Sequence, residues 1–317
     1  MKFTEDPMED KPIIIIEEKP DVIPGQGEGE TPVIQIERGE EDTVPSVKVH
    51  RRWPWIAGSV AITILLCLVA FLLYRHFRAY GDLGVPISYT SEENIEKLKR
   101  PVDKNIRPEV ILTTDSVLGV HLNFYELRGL RGEVTFQEPS PNDADVYLYS
   151  RCADQSTYDP TNVHYLGTLV MNGQLIDEDT ERLGYCAMAN GNTVIGIARD
   201  ELMKDYILES GGSMFRQFIL VSKNHLPSTF RLHGKVERRG IGRKDGRIYY
   251  IESINKETMW DFADALREYG FEDAIYITGG NAYSYYRTQD GQAHPIGLEP
   301  DPHRDTHTLP YMVFRRR

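Results

Sequence analysis

Residues 236–283 read VERRGIGRKDGRIYYIESINKETMWDFADALREYGFEDAIYITGGNAY. Two strand-like runs, 236–241 and 247–251, flank Asp245-Gly246. Asp-Gly supplies the positive φ angles that a tight hairpin turn requires. Over 256–269 the apolar residues Met259, Phe262, Ala263, Leu266 and Tyr269 recur at spacings of three and four. That spacing makes one stripe along a helix, and Gly270 ends it. Residues 274–277 then form a short apolar run, which reads as a buried strand entering Thr278-Gly279-Gly280-Asn281. A helix followed at once by a buried strand places the Gly-Gly turn at a sheet edge, where backbone amides can face a ligand.

The same vocabulary extends N-terminally. Strands are predicted over 110–114, 120–127, 132–136 and 146–150. Runs 163–171 and 174–176 flank Asn172-Gly173, and runs 184–189 and 193–198 flank Asn190-Gly191. Both dipeptides are hairpin turns of the same chemistry. Shorter helices are expected over 200–208 and over 91–99, the latter stopped before Pro101. The expected fold class is α+β, a mainly antiparallel or mixed sheet with a few packed helices.

The chain has 317 residues, with 36 Lys+Arg against 48 Asp+Glu, a formal net charge of −12. Such an acidic balance is poor for sequence-independent contact with nucleic-acid phosphates. A mean hydropathy of −0.42 argues against a polytopic membrane protein. Residues 1–52 hold 13 acidic and 7 basic side chains, half the net charge in about a sixth of the length. This tail is rich in Pro, Gly and Glu, a composition that predicts disorder. It contains two similar clumps, Pro12-Ile13-Ile14-Ile15-Ile16-Glu17 and Pro32-Val33-Ile34-Gln35-Ile36-Glu37. Each is either a strand for a cytosolic partner's sheet edge or a sticky run held soluble by flanking acids.

Residues 53–74 carry no charged side chain over 22 positions, WPWIAGSVAITILLCLVAFLLY. As a helix this run would span ~30 Å of hydrocarbon, with Trp53, Trp55 and Tyr74 at its edges. One transmembrane helix is therefore expected. Arg38, Lys48, Arg51 and Arg52 precede it, and Arg75 and Arg78 follow. That asymmetry favours a cytoplasmic tail and an extracytoplasmic C-terminal domain, periplasmic or at the cell surface. The expected organisation is a tail (1–52), a spanning helix (53–74), a connector (75–109) and a folded domain (110–317).

No G-x-x-x-x-G-K-[ST] phosphate loop occurs, and no G-x-S-x-G nucleophile elbow. The glycines of 240–246 sit in a hairpin rather than before a helix, which rejects a dinucleotide loop. Cys152 and Cys186 are either a disulfide of an oxidising compartment or two separate buried small side chains. His294, His303 and His307 cluster with Asp301 and Asp305, but Pro302 and Pro310 break any helix there. A solvated loop is the better reading, so neither a metal nor a cofactor is expected.

A different constellation carries the chemistry. Arg216 and Gln217 open a strand-like run, Arg238 and Arg239 alternate on another, and the Gly279-Gly280 turn follows the helix. Paired arginines over such a turn suit a phosphate or carboxylate. The order of these segments resembles the phosphodiester glycosidase family, whose members show Gln-Ser-Gly-Pro-x-Leu-Val, then Arg-x-Ala-Ile-Gly with an Asp-Gly hairpin, a helix, and Leu-Asp-Gly-Gly-Gly-Ser-Ser. Here Phe215-Arg-Gln-Phe-Ile-Leu-Val221, Arg238-Arg-Gly-Ile-Gly242 and Ile277-Thr-Gly-Gly-Asn-Ala-Tyr283 take those places. Arg238, Gly279 and Gly280 carry over. Thr278 replaces the family Asp, Asn281 the third Gly, and Ala282 and Tyr283 the two serines. No counterpart of the family's early Asn-Gly-Gly-Phe-Phe segment is present.

The resemblance implies a hydrolase of sugar-phosphate diesters in envelope glycans. Its ligand residues would be Arg216, Gln217, Arg238, Thr278, Gly279, Gly280 and Asn281. Glycosyl transfer generally uses two carboxyl groups. With Thr278 in place of the Asp, the acid candidates near these motifs are Glu237 and Asp273. Two alternatives stand beside this reading: a catalytically inactive glycan- or protein-binding domain of the same fold, and a transmembrane scaffold or signalling protein.

Overall fold

The computed structural model describes residues 60–73, 86, 88–156, 163–230, 232–280, 282–297 and 308–317. The acidic tail, residues 75–85 and 87 of the connector, Asn281 and residues 298–307, with His303 and His307, lie outside the described residues. In chain order the elements begin with helix α1 (60–73) and α2 (Ser91–Lys99). Strands β1 (Glu109–Val117), β2 (Val120–Arg128), β3 (Leu130–Thr135), β4 (Val146–Arg151) and β5 (Asp154–Ser156) follow. Next come β6 (His164–Leu166), β7 (Leu169–Met171), β8 (Gln174–Asp177), β9 (Gly184–Ala189), β10 (Asn192–Ile197) and α3 (Leu202–Ser210). The remainder is β11 (Ser213–Gln217), β12 (Ile219–Ser222), β13 (Val236–Lys244), β14 (Arg247–Glu257), α4 (Met259–Tyr269), β15 (Asp273–Ile277), β16 (Ser284–Arg287), β17 (Ala293–Ile296) and β18 (Tyr311–Arg316).

The expected transmembrane helix is overturned. Helix α1 covers 60–73 of the 53–74 apolar run. Among the described residues no helix is long and apolar enough to cross a membrane. The sheets also depart from the mixed alternative, because every pairing between the described strands is antiparallel.

Six strands form one sheet in the order β1-β2-β14-β13-β15-β12. Two five-stranded sheets run β10-β9-β11-β7-β8 and β17-β16-β4-β18-β3, and β5 pairs with β6. All three large sheets contribute to one interior, through Tyr125, Ile241, Tyr250 and Ile275 from the first, Cys186 and Phe215 from the second, and Val134, Leu148 and Phe314 from the third. Helix α4 covers the other face of the six-stranded sheet with Met259, Phe262 and Leu266. Helices α2 and α3 cover the second sheet with Leu98, Met203 and Ile207. Each fully buried side chain of this size contributes about 1.5–3 kcal/mol.

Local chemistry explains the turns and helix ends. Asn172-Gly173, Asn190-Gly191 and Asp245-Gly246 each hold positive φ at both positions, 49° and 74°, 54° and 77°, and 51° and 74°. Helix α4 starts at Met259, three residues after the predicted start at 256, because β14 continues through Glu257 and Thr258 caps the helix by accepting from the Asp261 amide at 3.0 Å. Helix α2 opens on a capping box between Thr90 and Glu93. The two glycines of Gly240-Ile-Gly242 face α4 and its C-terminal neighbour. A Cβ at Gly242 would sit 2.7 Å from the Phe271 ring, and one at Gly240 3.0 Å from the Ile275 carbonyl. These glycines serve close packing.

Candidate functional site

Strand β15 delivers the site. Ile277 pairs with Arg239 of β13, after which the chain turns through Thr278, Gly279 and Gly280. A Cβ at Gly279 would lie 2.5 Å from the Glu237 carbonyl, so only glycine passes β13 so closely. Gly280 adopts φ +60° and donates its amide to the same carbonyl at 2.8 Å. The amides expected to face a ligand are thus partly spoken for. Gly280 binds Glu237, and the Gly279 amide reaches the Tyr276 hydroxyl.

Around that turn the structure gathers a polar cluster. Thr278 donates its Oγ1 to Asp154 Oδ1 at 3.0 Å, from β5. Arg238 is buried, 2% exposed, and lies with its guanidinium carbon 5.9 Å from the Tyr276 ring centre. Its Nε donates to the Glu257 carbonyl at 3.0 Å and its Nη2 to the Gly234 carbonyl at 2.7 Å. Burial pushes the Tyr276 phenol up and the Asp154 charge pushes it further, while Arg238 and the Gly279 amide pull it back; the net shift is upward. Gln217 accepts from Arg182 Nη1 at 2.7 Å and donates to the Cys152 carbonyl at 3.4 Å. The Arg182 guanidinium stacks 4.4 Å from the Phe218 ring. Burial lowers its pKa, against the opposing charges of Asp154, Asp179 and Glu181. Two guanidiniums, one carboxylate, a phenol, a hydroxyl and an amide therefore surround the end of β15.

Not every sequence candidate arrives here. Arg216 and Gln217 alternate on β11, so their side chains take opposite faces. Arg216 points to α3, where it binds Glu201 at 2.9 Å, and its buried Nε has no hydrogen-bond partner. Burial raises the Glu201 carboxyl, but Arg216 and Lys204 more than reverse this and leave it below the usual carboxylate range. Asp273 opens β15, four residues before Ile277 and therefore about 13 Å from the turn. It is buried in an ion pair with Arg243 and accepts from Ser88 Oγ at 2.5 Å. Glu237 is half-buried beside the turn and contributes its carbonyl. Asn281 lies outside the described residues.

Arg239 is a support beneath the turn. It is 1% exposed, donates Nη1 to the Ala282 carbonyl and to Ser284 Oγ at 3.3 Å, and lies 4.0 Å from Glu252. Asp154 is the residue that sequence reading passed over. Its signal is indirect: Thr278 occupies the place of an acid in the motif, and Asp154 hydrogen-bonds that very side chain. Cys152 and Cys186 are free and buried, and burial pushes both thiols up. Among the described residues no group of His, Cys, Asp and Glu could hold a metal ion.

No family model and no curated protein matches the sequence. Among solved structures the chain is similar to the catalytic domain of zebrafish N-acetylglucosamine-1-phosphodiester alpha-N-acetylglucosaminidase, auto-inhibited by its pro-peptide. That likeness has a TM-score of 0.46 and 12% identity, and covers 75% of this chain and 98% of the other. A hypothetical protein from Synechocystis matches with a TM-score of 0.47 and 10% identity, over 69% of this chain and 64% of the other. At these identities the likeness concerns the path of the backbone.

Proposed function

We propose that the chain is a phosphodiester glycosidase-like hydrolase, acting on a sugar-phosphate diester at the end of β15. The observation that carries this reading is the Thr278–Asp154 hydrogen bond of 3.0 Å. Where the family motif has an aspartate, this chain has Thr278, and a carboxylate from β5 stands one hydrogen bond away. The acid is moved to another strand rather than lost. Arg238 and Arg182 supply positive charge for the diester, since guanidiniums match phosphate oxygens through paired donors. Asp154 is the group that gives a proton to the leaving oxygen or takes one from water. Tyr276, with its phenol held protonated by burial and by Asp154, donates a hydrogen bond to a sugar hydroxyl or phosphate oxygen.

The test is turnover of a chromogenic sugar-1-phosphodiester by the purified full chain. Asp154→Asn keeps an acceptor for Thr278 but removes the acid, and lowers kcat by about 10²–10⁴, the usual contribution of general acid–base catalysis. A second reading, a binding domain of the same fold, is favoured by one specific feature. Arg238 already gives two of its donors to backbone carbonyls, of Glu257 and Gly234. Saturable binding of the diester with no turnover selects that reading over the hydrolase.

A further inference from the structure

Strand β13 has two ends. Arg238 marks the site described above, and Arg243 lies five residues on, about 17 Å away. Beside Arg243 a cavity of about 450 Å³ opens between α2, β10 and the β13–β14 hairpin. Tyr89, Lys97, Arg100, Ile106, Ile248 and Arg317 are among its walls. A second cavity of about 390 Å³ shares Ile106, Ile248 and Arg317 with it and adds Arg128 and Arg247. Together they form one cleft of a size typical for small ligands.

Its charge is unlike that of the chain. Six cations line it, namely Lys97, Arg100, Arg128, Arg243, Arg247 and Arg317, against two acids, Asp103 and Glu126. Three of the cations are already neutralised. Arg128 and Arg247 bind Glu126 at 2.5 and 3.4 Å, and Arg243 binds Glu272 and Asp273. Lys97, Arg100 and Arg317 form no ion pair among the described residues. Lys97 makes one hydrogen bond, to Asn94 Oδ1 at 3.2 Å, and its ammonium packs on the Tyr89 ring. The Arg243 guanidinium lies 4.4 Å from the same ring centre, and its buried Nε has no hydrogen-bond partner. Two like charges thus pack against one aromatic ring. Burial and the Arg243 charge together bring the Lys97 ammonium down to about 8. An excess of clustered, partly desolvated positive charge is stabilised by an anion, and three cations without a close ion pair match a dianion better than a single carboxylate.

We propose that this cleft binds a small phosphate-bearing molecule with an apolar portion. The phosphate sits among Lys97, Arg100 and Arg317, and the apolar part rests on Ile106, Ile248 and Val102. A nucleic acid is disfavoured, because the chain around the cleft is net acidic and repels a polyanion at long range.

Calorimetric titration of the full chain with phenyl phosphate tests this. One saturable site is expected, with inorganic phosphate binding more weakly for lack of the ring. Lys97→Gln and Arg100→Gln each weaken phenyl phosphate about tenfold, the usual loss for a hydrogen bond to a charged group. Asp103→Asn, which removes an acid from the wall, does not weaken it. Asp154→Asn leaves binding unchanged, which separates this cleft from the site at the other end of β13. Affinity falls as pH rises above about 8, where Lys97, facing Arg243, Arg100, Glu93 and Asp273, loses its proton. Thermal unfolding of each variant confirms a native fold. Absence of saturable binding at millimolar phenyl phosphate, binding that survives the Lys97→Gln, Arg100→Gln pair, or binding lost in Asp154→Asn would each overturn the proposal.

Discussion

Arg239→Leu is the substitution whose cost the structure specifies most fully. Arg239 is among the largest fully buried side chains, at 1% exposure. Its guanidinium ties three elements together: Ala282 and Ser284 beyond the Gly-Gly turn, and Glu252 on β14. Removing one member of a buried ion pair generally costs 3–5 kcal/mol, because the remaining charge is left uncompensated. Here the lower end applies. The pair is 4.0 Å apart, and Glu252 keeps two other donors, Asn123 Nδ2 at 2.9 Å and Tyr125 Oη at 2.7 Å. A loss of about 3 kcal/mol in a folded unit of this size lowers Tm by about 6–12 °C. Differential scanning calorimetry measures it. Adding Glu252→Gln to Arg239→Leu should recover part of the loss, since the orphaned charge is then gone. A fall in Tm of less than about 2 °C, or a double variant that is worse by the full sum of the two singles, would refute the view that Arg239 and Glu252 form an energetically coupled pair.

Three further expectations follow from particular contacts. Gly242→Ala places a Cβ 2.7 Å from Phe271; chemical denaturation should show about 1–3 kcal/mol of lost stability from overpacking, partly relieved by Phe271→Leu. Thr258→Ala removes the acceptor for the Asp261 amide at the start of α4 and should cost about 1 kcal/mol in the same assay. Lys97 titrates near 8 in the folded chain, against 10.5 ordinarily. The unfolded chain therefore binds more protons between those values, so stability contributed by this site rises from about pH 8 to about pH 10.5. Lys97→Met should flatten that rise in denaturation curves taken across the window.

The elements most legible in the sequence are those fixed by neighbours along the chain. Asn172-Gly173, Asn190-Gly191 and Asp245-Gly246 each set a hairpin through their own φ angles. The stripe of Met259, Phe262 and Leu266 marks α4 because a helix puts residues three and four apart on one face. Partners set by tertiary pairing are less legible. Alternation separates Arg216 from Gln217, but nothing local says that Gln217 turns toward Arg182 while Arg216 turns toward Glu201. Asp154 meets Thr278 across 124 residues of chain. Asp273 looked adjacent to the motif in sequence, yet an extended strand carries it to the opposite end, into an ion pair with Arg243. The 53–74 run shows the same limit. Its apolar length predicts a spanning helix, whereas among the described residues no helix is long and apolar enough to cross a membrane.

The account turns on whether Asp154 is the displaced acid of the site at the end of β15. Steady-state turnover of a chromogenic sugar-1-phosphodiester by the full chain and by Asp154→Asn decides it. The account predicts measurable release by the parent protein and a kcat lowered by about 10²–10⁴ in the variant, with Tm unchanged. Equal turnover in the two proteins, or turnover abolished instead by Asp273→Asn in a chain that still folds, would contradict it.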